Sequence, residues 1–184
     1  MRENRFLNLE RCKLSVFRRK RNYFVPAGFD GSRFMGINMR RAGGKHRVIY
    51  HAHTSAVIAM TNVLELDDVK WTRALWSAMT ECPVVFPGGV GVLPWMVCGG
   101  AEIAKATSEL MKQYDVAIWA FHGTFASGES FDTTFGLMHC VEKAADIYMR
   151  VQAAGGAKQT MQTQNFIDIA ALFGLTLPEK FLKD

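Results

Sequence analysis

Arg47-Val48-Ile49-Tyr50-His51-Ala52-His53-Thr54 is the first stretch of the chain with a readable pattern. It is a short run of β-branched and aromatic residues behind the turn-forming pair Gly43-Gly44, and it reads as a strand. Thr54 or Ser55 can cap a following helix to about Glu65, with Val57, Ile58, Thr61 and Leu64 at helical spacing. Asp67 starts a second helix that carries Val69, Thr72, Leu75, Trp76 and Met79 on one face and ends near Thr80. Pro83 to Val97 reads as two short strands, Val84-Val85-Phe86 and Val90 to Leu93, around Gly88-Gly89. Ala101 to Tyr114 is amphipathic, and Val116 to Phe121 is a buried strand that delivers His122 to its end. Gly123 to Ser130 reads as a loop, and Asp132 or Thr133 opens a long helix that Gly155-Gly156 stops. A last helix runs from about Gln162 to Phe173. Strands alternating with helices, without internal repeat, predict an α/β domain with its helices packed on a sheet.

Upstream of that first strand the character of the chain differs. Residues 1–47 hold 13 of the 22 Lys and Arg, against Glu3, Glu10 and Asp30 alone on the acidic side. The net charge of +5 therefore comes from one segment, Arg18-Arg19-Lys20-Arg21 included, and the body of the chain is mildly acidic. That distribution argues against nucleic acid as a partner, since no basic stripe runs through the patterned part. Residues 1–33 are expected to be a basic, non-homologous or disordered arm, and residues 34–184 the domain. A composition 49% hydrophobic and 21% charged is that of a globular domain, and no apolar window reaches the about 18 residues of a membrane span. Cys12, Cys82, Cys98 and Cys140 lack CxxC spacing and no secretory leader is recognisable, which predicts reduced thiols and a cytoplasmic location.

On a strand, side chains two apart share a face, so His51 and His53 can converge on one ion. A metal acting as a Lewis acid needs a third protein ligand and an open position, and His122, beside Gly123 at a strand end, is the candidate. These spacings alone are equally compatible with partly buried polar strand residues. His46, in a basic turn, and His139, in the long helix, read as ordinary.

Four stretches give the chain a family likeness: Arg47 to Thr54, Thr80 to Val97 (TECPVVFPGGVGVLPWMV), Trp119 to Gly128, and Thr134-Phe135-Gly136-Leu137 on to Glu142-Lys143. In these the chain resembles the rhamnulose-1-phosphate aldolases of the class II aldolase and adducin-like superfamily. The histidine motifs are shared across the superfamily; the second stretch is specific to the rhamnulose branch. The resemblance implies a three-layer α/β/α sandwich around a largely antiparallel sheet, incomplete at its N-terminus. It also implies Zn2+ held by His51, His53 and His122, and a homotetramer with sites at subunit interfaces. The implied reaction is that of an aldehyde-lyase: cleavage of the sugar phosphate L-rhamnulose 1-phosphate to dihydroxyacetone phosphate and L-lactaldehyde, in rhamnose catabolism. Glu81 matches a family glutamate that handles the proton on the aldehyde side from across the interface.

One position departs from the pattern. The segment Pro26-Ala27-Gly28-Phe29-Asp30 aligns with the family's second catalytic glutamate, and Phe29 stands at the carboxylate position. The altered start suggests a truncated or frame-shifted remnant, and with it weak zinc binding and little turnover. A non-catalytic, adducin-like binding protein is the alternative, against which retention of all three histidines counts.

Overall fold

The computed structural model describes residues 46–183; the expected arm at 1–33, with Phe29, Asp30 and Cys12, lies outside them. Four strands form one sheet: β1 (Val48–Ala52), β2 (Gly91–Leu93), β3 (Val116–Trp119) and β4 (Gly123–Gly128), in the order β1-β4-β3-β2. β4 pairs antiparallel with both β1 and β3, and β2 pairs parallel with β3. The one parallel pair requires a crossover, which α4 (Ala101–Leu110) supplies.

Alternation along the strands sends side chains to two cores. Val48, Tyr50, Ala52, Val92, Val116, Ile118 and Ala126 face one cluster, and Ile49, Leu93, Ala117, Trp119 and Phe125 the other. The first, larger core is covered by α1 (Ser55–Met60), α2 (Asp68–Ala78), α3 (Cys82–Val85), α5 (Phe131–Ala153) and α6 (Thr163–Phe173). The second is covered by α4 through Ile103 and Ala104. This is the expected layered α/β arrangement, with a mixed sheet. Trp76 lies at the centre of the larger core, edge-on to Phe166 of α6 and to Phe181, with ring centroids 5.5 and 5.4 Å away.

Two segments differ from the sequence-based expectation. Val84-Val85-Phe86 does not form a strand: Cys82–Val85 is a helical turn with Pro at its start, and Glu81, its N-cap residue, is already in the right-handed helical region. A proline's fixed φ and missing N–H suit the first turn of a helix, and that outweighs the β-propensity of two valines. Gly123 to Ser130 is not a loop, since its first six residues are strand β4, bonded on both sides. The small residues that suggest a turn are there because the strand is enclosed: Ala126 is fully buried, and a Cβ on Gly128 would meet Thr134 Oγ1 at 2.6 Å.

Candidate metal centre

His51 is the penultimate residue of β1, His53 follows the strand's end, and His122 precedes β4 in the tight turn from β3. β1 and β4 are bonded neighbours, so these three side chains meet at one end of the sheet. One ring nitrogen from each lies within 4.8 Å of the other two, and Nε2 of His51 is 3.3 Å from Nε2 of His122. Among the described residues this is the one group of His, Cys, Asp and Glu placed to hold a metal ion.

The environment of His51 defines its chemistry. Its Nδ1 lies 3.1 Å from the carbonyl oxygen of Thr124. A carbonyl only accepts, so Nδ1 carries the proton and Nε2 presents a lone pair toward His122. Burial holds the His51 pKa down at about 4; the Thr124 bond works against that, and the fields of His122 and His53 add to it. His122 is also lowered, by burial and then by the field of His53. His51 is thus uncharged at neutral pH, as a metal ligand would have to be. Its ring stacks on Phe125 at a centroid distance of 4.0 Å and lies beside Trp119, whose Nε1 donates to Thr107 Oγ1 of α4 at 2.8 Å. These two aromatic side chains form an apolar floor and fix the ring orientation.

The other two histidines are positioned by backbone. Phe121 has a left-handed φ of 62°, and its N–H donates to Thr61 Oγ1 at 3.1 Å. Thr54, immediately after His53, pairs through Oγ1 with Oγ1 of Thr124 at 2.7 Å. One residue, Thr124, therefore orients His51 through its carbonyl and ties down the segment after His53 through its hydroxyl.

Glu81 does not join the cluster. It lies exposed before α3, next to Cys82, which is buried on the other face of the sheet. His46 bonds Ser127 Oγ at 3.0 Å, and His139 stacks on Phe135. Sequence reasoning missed Thr124, Trp119, Phe125 and Glu142. The first three lie in the Trp119–Gly128 stretch and Glu142 in the last stretch of the family likeness, but the sequence alone assigns none of them a role; the register Ala52↔Thr124 is what sets Thr124 beside the histidines.

Comparison with known proteins follows the same lines. The family described as Class II Aldolase and Adducin N-terminal domain matches residues 38–149. A rhamnulose-1-phosphate aldolase of Mannheimia succiniciproducens is 50% identical over 140 residues, which cover 76% of this chain and 52% of that protein. One from Pectobacterium carotovorum is 45% identical over 147 residues, covering 80% of this chain and 54% of its own length. The chain thus spans about half the length of the curated relatives it matches. Among solved structures, a sugar-phosphate aldolase from Thermotoga maritima superposes with a TM-score of 0.60 at 23% identity, over 68% of this chain and 54% of that one. An L-fuculose 1-phosphate aldolase does so at 0.58 and 19%, over 85% and 68%. These two likenesses are of fold. With more than half its residues matched and rhamnulose-1-phosphate aldolases as relatives at this identity, the chain belongs to the class II aldolase and adducin family.

Proposed function

We propose that the chain carries the zinc-binding part of a rhamnulose-1-phosphate aldolase, with residues 34–184 as its domain and His51, His53 and His122 as ligands. The observation that carries this reading is the convergence of three imidazoles with Nε2 of His51 left free to coordinate. The His51–His122 pair fits the ion: two nitrogens on a tetrahedral Zn2+ stand roughly 3.3 Å apart, and this pair is 3.3 Å apart, with the donor atoms of all three histidines within 4.8 Å. Three neutral ligands leave the ion its full charge and an open position, and when bound it would stabilise the enediolate left by carbon–carbon cleavage.

The chain's own residues do the rest. Trp119 and Phe125 close the floor and keep water from beneath His51. Glu81, exposed before α3, would in this reading serve a neighbouring subunit of a homotetramer, its carboxylate holding the proton on the aldehyde side. The substrate in this reading is L-rhamnulose 1-phosphate and the setting the cytoplasm. No described helix is long and apolar enough to cross a membrane.

Metal analysis of the purified chain and of His53→Ala tests the ligand set. Weakly held zinc in the chain, lost in the variant, is expected; equal zinc in both overturns it. Phe29 at the place of the family's second carboxylate sets the expectation for turnover, followed as dihydroxyacetone phosphate release. It should fall far below that of the relatives, and cleavage at their rate would show that the missing base is supplied elsewhere.

A further inference from the structure

Helix α1 lacks the usual means of closing its own N-terminus. Its N-cap Thr54 makes no side-chain capping bond, and its first turn carries no acidic residue. The orphan donors are satisfied from 86 residues away: Glu142 of α5 accepts the N–H of Ala56 on Oε1 at 2.9 Å and that of Val57 on Oε2 at 3.0 Å. A carboxylate taking two backbone donors is a strong, directional clamp.

What α1 holds makes this clamp relevant to function. His53 lies just before the helix, joined to it through Thr54. At the other end Thr61, the C-cap residue, receives the N–H of Phe121, one residue before His122. A single short helix therefore spans the two ligand-bearing segments, and the only side chain gripping its N-terminal N–H groups among the described residues is Glu142.

We propose that Glu142 is a positioning residue for the three-histidine site: by fixing α1 on α5 it sets where His53 and the Phe121–His122 turn can stand. The proposal rests on the reading of the histidines as metal ligands. It predicts coupling between a carboxylate outside the cluster and the geometry at the ion, as partners outside the first coordination layer commonly show, at about 10–100-fold in affinity.

The test uses the whole chain loaded with Co2+, whose visible absorption reports ligand number, alongside zinc affinity by chelator competition. The chain, Glu142→Ala, Glu142→Gln and His53→Ala are compared. Glu142→Ala is expected to weaken zinc at least about tenfold and to shift the Co2+ spectrum toward that of His53→Ala. Glu142→Gln, which keeps the shape and one acceptor oxygen, should fall between and serves if the alanine variant does not fold. Amide exchange at Ala56 and Val57 should quicken in both variants. Folded variants with faster exchange but unchanged zinc affinity and Co2+ spectrum would make Glu142 a stabilising cap only, and overturn the proposal. Failure of the unsubstituted chain to bind either metal would instead overturn the ligand reading, and the positioning role with it.

Discussion

A methyl group placed on Gly123 would lie 2.3 Å from the carbonyl oxygen of Ala52 and 3.0 Å from Cα of His53. The atoms it meets are backbone, so no side chain can swing away, and the residue's φ of 150° is one that L side chains rarely adopt. Gly123 thus lets the turn bearing His122 press against the strand bearing His51 and His53. We expect Gly123→Ala to destabilise the chain by about 3 kcal/mol through strain and overpacking. Denaturant unfolding checks this, and a midpoint within error of the parent would show that the two strands can separate without loss. Phe121 presents the opposite case: a half-exposed aromatic in a left-handed conformation, where a glycine would be unstrained. Backbone strain of this kind, of about 1–3 kcal/mol, collects where geometry is set for a site.

Helices α2 and α5 show what local sequence can specify. Asp67 accepts the N–H of Lys70 at 2.8 Å, and Ser130 closes a capping box with Thr133 at the start of α5. Asp67→Ala should therefore cost about 1 kcal/mol, read as a shift of the urea midpoint at constant slope; no shift would mean that tertiary packing alone sets the helix start. Legibility at this scale followed from how local the signals were. Asp67 and the spacing of Leu75 and Trp76 located α2 within a residue or two. The start of α5 is less legible, because Ser130, Asp132 and Thr133 are three candidate caps within four residues. The strand β4 was hidden because its small residues answer to neighbours that only the tertiary fold supplies. The turn Cys82–Val85 was hidden because two valines and a phenylalanine imitate a strand. The site divides in the same way: the His51/His53 spacing and the strand end at His122 were visible, whereas Glu142 satisfies donors from a distant helix and leaves no local signature.

For the molecule as a whole, the metal-free chain should carry an acid-sensitive step in stability. His51 has a pKa near 6.5 when unfolded and about 4 when folded. Between those values the unfolded chain binds more protons, so stability is complete above the unfolded value and falls as pH drops toward 4, levelling below it. A difference of that size corresponds to about 3 kcal/mol at most. Unfolding measured with chelator present from pH 7.5 down to 4 should show this slope in the chain and a shallower one in His51→Gln. Parallel profiles would assign the acid sensitivity to other groups.

The pairing of β1 with β4 also bears on how the chain reaches its folded state. His51 and His122 are 71 positions apart, and α1, α2, α3, β2, α4 and β3 all lie between them. Contacts this far apart require closing a long loop before any of their energy is recovered, which places them among the slower events of folding. His51 and His53 are two residues apart in sequence, whereas His122 reaches them only once that loop has closed. The assembled triad therefore marks completion of the fold, and the rate at which the third histidine arrives is the rate at which the sheet joins its two sequence-distant halves.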